Sequence, residues 1–394
     1  MHPKISSRAA LLGILLAHTG CEEDYRYIDP RMIDAPRATA LRFVVVEAIP
    51  HGYERPGSDL APRTTAVPFE QVHLETSIVD ANGPYTATEI AEQVAPIWLA
   101  CLGSPRPTTL SPEHPLDCFV RGRPTSVGAT PRCRTPSISE IQADGVPSLD
   151  GICRIEPGVD ARVTVPLAQE FLTDGFMAMA MIGGAAGVSS ETCANRFLSG
   201  HQVPTACIAA HGRLRLGPKD MLGDILATHG LSELGLGDSE SAEQWPPDRH
   251  VRIRSFRVVE IELDGGRERS TTQGTAEAVE IDVPPGGLFE VNRNMGYTVH
   301  PEIDPRDAQV HHNGRDQEQL RVAWYYTRGS GRPSYVSDRN ADLLDLDWSP
   351  GDSFLEQRAV APVERRAHIH VVVHDDRQGV GWASLAPSIM GPIP

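Results

Sequence analysis

Lysine is almost missing from this chain: Lys4 and Lys219 are the only two in 394 residues, arginine supplying the other fixed positive charges. That is a compositional bias and carries no structural reading. Positive charge is scarce altogether, since 36 Lys and Arg stand against 52 Asp and Glu and leave a formal net charge of −16. A body this acidic repels nucleic acid and anionic headgroups, which excludes both as direct partners of its surface. The apolar run Ala9–Ala17 is far shorter than the roughly 20 residues a spanning helix needs. There is no C-x-x-C and no histidine at finger spacing beside a cysteine, which excludes a structural zinc site. No period of 20 to 50 residues repeats, which excludes a solenoid or propeller. Helical periodicity is sparse, and with Gly 35 and Pro 33 the balance favours strands and turns.

What is present begins at the N-terminus. Lys4 and Arg8 precede the apolar run, and small or polar residues follow it, the three-part layout of a secretory signal peptide over residues 1–20. Its loss removes two positive and no negative charges, taking the net charge from −16 to −18. Ala17, Thr19, Gly20 and Cys21 resemble the lipobox of bacterial lipoproteins. That resemblance implies a Cys21 thiol carrying diacylglycerol and standing as the mature N-terminus. The alternative is an ordinary leader in which Cys21 is a disulfide partner or is lost. Residues 21–37, acidic and Pro-containing without an amphipathic period, read as a lipidated tether.

Seven cysteines are an odd number for an oxidising compartment. Setting Cys21 aside leaves Cys101, Cys118, Cys133, Cys153, Cys193 and Cys207, which fall into three close couples along the chain. Nearest-neighbour pairing is expected, each bond restricting the unfolded chain by roughly 3 kcal/mol in the entropic account.

A chain of this length exceeds one ordinary core, so two domains are expected. Alternation marks strands in "LRFVVVEAI" and in "QVHLETSIVD", where Val72, Leu74 and Ile78 share one face. "PIWLACL", "ARVTVPL", "GFMAMAMIGG" and "TACIAAHGRLRLG" continue the series. "SSETCANRFL" is a short helix capped by Ser189 or Ser190. Residues 38–217 are thus a disulfide-bearing β-sandwich interrupted by a Cys- and Pro-rich insertion. Residues 218–247 read as a bridge between domains: a helix with Met221, Leu222, Ile225 and Leu226 on one stripe, then a Gly- and acid-rich linker. Residues 248–394 form a second sandwich from "HVRIRSFRVVEIEL", "AEAVEIDVPPGGLFEVN", "EQLRVAWYYTRG" and "AHIHVVVHDDRQGVGWASLA". Val322, Trp324 and Tyr326 lie on one side of its central strand, and Asp375–Gly379 turns its closing hairpin. Short strands, a tryptophan strand and a closing hairpin indicate an immunoglobulin-like sandwich.

"VVVHDDRQGVGWA" with "VAWYYTRG", "IVDANGP" followed by "PIWLAC", and "ETCANRFL" leading to "ACIAA" resemble the immunoglobulin-like domains of myxobacterial-type surface lipoproteins. The resemblance implies two such mainly β domains at the cell surface, and it supplies no catalytic residue.

Three constellations carry possible chemistry. On the strand "HIHVVVH", His368, His370 and His374 share a face, the first two spaced to meet one metal. His374 would lie about 13 Å further along. The plainer reading, adopted here, is a solvent-facing strand side with Ile369, Val371 and Val373 in the core. In the Asp345–Glu356 loop, Asp345, Asp347, Ser349, Ser353 and Glu356 fall at calcium-loop positions. Pro350 occupies the place of the required glycine, so a solvated linker is expected. "TRGSGR" around Ser330 lacks the nucleophile-elbow context and reads as a hairpin loop. The expected function is therefore a non-enzymatic lipoprotein of the cell envelope, in the outer membrane, with no cofactor or metal. It would bind an envelope protein or polysaccharide, or act structurally. A metal-dependent hydrolase on His368 and His370, or a calcium-binding adhesion module on Asp345–Glu356, is the alternative.

Overall fold

The structure, a computed structural model, describes residues 31–47, 60–102, 126–149, 151–155, 161–201, 204–217, 219–228, 230–232, 247–264, 267–268, 279–292, 295–310, 314–328, 330–333, 346–349 and 366–388, with Phe119 and Pro124. Cys21 and Cys118 lie outside these residues. The fold is mainly β. Its strands are β1 (Arg37–Glu47), β2 (Thr65–Ala66), β3 (Gln71–Asp80), β4 (Gly83–Pro84), β5 (Ile97–Cys101), β6 (Ile152–Arg154), β7 (Arg162–Thr164), β8 (Phe176–Gly184), β9 (Cys207–Leu216), β10 (Ile253–Asp264), β11 (Arg267–Glu268), β12 (Glu280–Val283), β13 (Leu288–Glu290), β14 (Met295–Ile303), β15 (Arg321–Tyr326), β16 (Ser330–Pro333), β17 (Leu346–Ser349), β18 (Ile369–His374) and β19 (Val380–Ser388).

They form four sheets among the described residues. The first is β1-β3-β4 with β7 also on β3, and the second is β2-β9-β8-β5-β6. The third is β13-β19-β18-β15, and the fourth is β11-β10-β14-β17-β16 with β12 on β10. Phe43, Val72 and Leu74 of the first sheet meet Trp98, Met177, Met179 and Met181 of the second in one buried cluster. Trp324, Val371 and Val373 of the third meet Phe256, Tyr297, Val299 and Trp348 of the fourth in another. Strand β8 has no polar face because it has no exposed face. Its odd residues enter the first cluster, while Ala178, Ala180 and Ile182 pack with Cys193, Ala194 and Leu198 of the helix Ser190–Ser199. That helix is capped as expected by Ser189, whose side chain accepts from the Thr192 amide.

Two disulfides join the expected neighbours, Cys133–Cys153 and Cys193–Cys207. Cys101 is also disulfide-bonded.

Four expectations need correction. The helix Lys219–Thr228 is not a bridge between halves: Leu222 and Leu226 pack with Val67, Ile141 and Leu167 of the first half. The side chains of Met221 and Ile225 lie outside the described set. What joins the halves is face-to-face contact of the first and third sheets, with Ala40 of β1 packed on Val372 and Val380. The tether ends earlier than residue 37, because the backbones of Arg31 and Ile33 bond to Tyr326 at the edge of the third sheet, burying Ile33. Ser330 is not in a loop but opens β16, opposite Ser349. Finally, part of the Asp345–Glu356 segment is strand: Leu346–Ser349 pairs with β14 and β16 and buries Leu346 and Trp348. A paired strand there cannot curl around an ion in the calcium-loop register, whose Asp345, Ser353 and Glu356 lie outside the described residues.

Candidate functional site at the junction of the two halves

Alternation along β18 sends Ile369, Val371 and Val373 into the core, as the sequence predicts. The other face is largely covered rather than solvated, which corrects the expectation for His368, His370 and His374: His370 is buried and the other two are half-buried. That face meets the first half. Gly83, at the positive φ of 119°, lies under the His368 ring, and a Cβ there would stand 2.7 Å from it. His370 is 2% exposed. Its Nε2 lies 3.1 Å from Thr39 Oγ1 and 3.0 Å from Ser77 Oγ, and its Nδ1 lies 2.7 Å from Ser384 Oγ. Hydroxyls donate or accept as needed, so either tautomer is satisfied. Burial lowers the His370 pKa to about 3 and lowers those of His368 and His374. Both nitrogens of His370 are committed, so the ring offers none to a metal.

His374 faces a cleft of ≈ 420 Å³ instead, which is also lined by Arg42, His211, Arg213, His250 and Gln378. Arg42 pairs with Glu75 and sits 4.5 Å over the Trp382 ring, a cation–π contact across the junction. His250, 2% exposed, accepts from the Val380 amide through Nδ1 at 3.2 Å. Its Nε2–H therefore donates to the Phe43 carbonyl at 2.9 Å. Burial takes the His250 pKa down to about 3.

A second polar cluster lies at the same junction. Residues 61–65 meet 248–250 through Thr64 N to Asp248 O at 3.0 Å and His250 N to Pro62 O at 2.9 Å. The buried pair Arg63–Glu70, 2.5 Å apart, holds this segment, Arg63 also donating to Thr65 O at 2.9 Å. It delivers the Thr64 hydroxyl to Asp248 Oδ2. Asp375 Oδ1 closes the β18–β19 turn by accepting from Arg377 N at 2.8 Å and Gly379 N at 2.6 Å. Glu318 accepts from Gln309 N at 2.8 Å and from Arg377 Nη1 at 2.9 Å.

Asp248, Glu318 and Asp375, at 2%, 5% and 7% exposure, each present one oxygen within 4.8 Å of the others. Among the described residues this is the one group of His, Cys, Asp and Glu close enough to share a metal ion. Burial pushes Glu318 up to about 7. Burial also raises Asp248, and burial together with the Asp248 and Glu318 charges raises Asp375 above the usual carboxylate range. Asp248 Oδ1, Asp375 Oδ2 and Gln309 Oε1 are buried with no hydrogen-bond partner.

Sequence reasoning missed Asp248, Glu318 and Gln309 because they come from separated segments with no common spacing. Asp375 stood in a recognised turn, and the turn accounts for only one of its oxygens. No protein-family model and no curated protein matches this chain.

Proposed function

We propose that the chain is a cell-envelope lipoprotein, anchored by acylated Cys21 in the outer membrane, whose two immunoglobulin-like sandwiches serve as a binding or structural body. The observation that carries the domain reading is a repeated strand order. In the second sheet a short strand, β2, runs parallel to the last strand, β9, followed by β8 and the tryptophan strand β5. In the third sheet β13 runs parallel to β19, followed by β18 and the tryptophan strand β15. Trp98 and Trp324 are 1% and 2% exposed on these equivalent strands, the position of the buried tryptophan in immunoglobulin domains.

The two disulfides support an extracytoplasmic location. Among the described residues no helix is long and apolar enough to cross a membrane. Acyl chains on one cysteine number at least two, enough for firm attachment of an acidic body. The hydrolase alternative on His368 and His370 is weakened by the commitment of both His370 nitrogens to hydroxyls. The partner class is an envelope protein or polysaccharide.

The test is Cys21→Ser followed by membrane fractionation. The protein should leave the membrane fraction or accumulate as uncleaved precursor. A variant still cleaved after Gly20 and still membrane-bound would refute the anchor.

A further inference from the structure

We infer that Asp248, Glu318, Asp375 and Gln309 form a calcium site that locks the two halves of the molecule together. This inference is independent of the lipid anchor, so either can fail without the other.

Geometry supplies the first argument. Oxygens that share one Ca²⁺ at about 2.4 Å lie no further apart than twice that distance. The three carboxylates each offer an oxygen within 4.8 Å of the other two.

The second argument is the state of the oxygens. Each aspartate uses one carboxylate oxygen for structure: Asp248 Oδ2 takes the Thr64 hydroxyl, and Asp375 Oδ1 closes the turn. The other oxygen of each is buried and unpartnered. Gln309 repeats the pattern from outside the acidic group. Its Nε2 donates to Pro247 O, beside Asp248, and its amide N donates to Glu318, while its Oε1 is buried and unpartnered in a residue only 8% exposed. Buried polar atoms without partners are rare in native proteins. Of the three here, two lie on the converging aspartates and the third on the residue whose backbone amide donates to Glu318; all are hard oxygen acceptors, suited to a ligand that offers positive charge and no preferred donor direction.

Charge supplies the third. Arg377 is hydrogen-bonded to Glu318 and, with Arg215, also acts on Asp248, so three converging carboxylates retain an excess of negative charge that a dication offsets. Crowding at Gly379 adds a constraint: a Cβ there would collide with Asp375 Oδ2 and the carbonyl oxygen of Arg249. Ca²⁺ accepts such an irregular, largely protein-derived oxygen shell, whereas Mg²⁺ keeps several waters that a site this buried does not accommodate.

All four ligands belong to the second half, and the site reaches the first through Thr64, on the segment leading into the second sheet, whose hydroxyl holds Asp248. Calcium should therefore stabilise the junction. The purified full-length chain, stripped with chelator, is titrated with CaCl₂ and separately with MgCl₂. Bound metal is measured by elemental analysis after gel filtration, and melting is followed by circular dichroism. One Ca²⁺ per chain is expected, with a Kd of about 10⁻⁵ to 10⁻³ M, a melting temperature raised by several degrees, and a much weaker response to Mg²⁺. Asp375→Asn and Glu318→Gln should each weaken binding at least tenfold, and Asp376→Asn, an exposed neighbour, should leave it unchanged. A wild-type chain that binds no stoichiometric Ca²⁺ and melts at the same temperature in 10 mM CaCl₂ overturns the inference, the cluster then being a proton-sharing network. Stoichiometric binding that survives in both substituted chains overturns it as well, by placing the ion elsewhere.

Discussion

The hairpin β18–β19 carries two polar clusters a few residues apart, and they resolve burial in different ways. Around His370, a neutral ring meets three hydroxyls, and both nitrogens find partners inside the protein. Around Asp375, three acids converge with one hydrogen-bonded arginine, and one oxygen of each aspartate finds none. Both clusters stitch the first half to the second. The histidine cluster is self-sufficient because an imidazole becomes neutral on burial at little cost in hydrogen bonding. Carboxylates that stay charged need a counter-charge, or else must take protons. One junction thus contains a contact fixed with respect to calcium and a contact that an ion would complete.

Acid should break the fixed contact, and this is the largest effect expected. His250 and His370 have folded-state pKa values near 3 against a free value of 6.5. Between those values the unfolded chain takes up protons that the folded chain refuses. Stability from these two groups is therefore complete above about pH 6.5 and declines as pH falls toward 3, by on the order of several kcal/mol. The urea-midpoint difference between wild type and His370→Asn, measured with calcium held constant from pH 7.5 to 4.5, should shrink steadily as pH falls. Chains are compared because Glu318 and Asp375, raised to about 7, take up protons in the folded state over the same range and act in the opposite direction in both. A difference that stays constant with pH would mean that the His370 ring is hydrated.

His370→Leu sharpens the comparison at neutral pH. Leucine leaves Ser384 without its ring partner, and Thr39 and Ser77 with only each other. A loss of about 2 to 4 kcal/mol is expected from buried hydroxyls left unsatisfied. Denaturation with and without calcium should show the same loss, since this contact owes nothing to an ion. A loss that calcium restores would make the two clusters one system.

Much of this was legible in the sequence, and the division is instructive. The alternation of "QVHLETSIVD" marks β3, Gln71–Asp80, because one face is buried and period two leaves no other register. The hairpin at Asp375–Gly379 and the helix Ser190–Ser199 were equally plain, since turn and cap chemistry are local. Strand β17 was not, because its four residues sit among Asp, Ser, Pro and Gly and become strand only by pairing with β14 and β16. The histidine face shows the deeper limit. Alternation says which residues share a side, and it says nothing of what that side meets. His368, His370 and His374 looked solvated because the surface covering them, from Thr39 to Gly83, lies far away in the chain. The acidic cluster was less visible still, as its members share no element.

The smallest expected effect tests the incomplete cluster most directly. Asp375→Asn keeps an acceptor oxygen for the Arg377 and Gly379 amides, so the turn survives, and it replaces the unpartnered Oδ2 by an NH₂ group. That group sits beside the Arg249 carbonyl oxygen, which shares with Oδ2 the space next to Gly379, and it removes one of three crowded negative charges. Without calcium the change should therefore be neutral, or stabilising by up to about 1 kcal/mol, as hydrogen bonding improves and like-charge repulsion falls. Surface acids give no such result, so Asp376→Asn is the reference. With calcium the order should reverse, wild type gaining stability that the variant cannot. Equilibrium denaturation of both chains in chelator and in 5 mM CaCl₂ measures the crossing. If Asp375→Asn instead costs several kcal/mol in chelator, the carboxylate is already satisfied by the protein, and the distinction between the two clusters is lost.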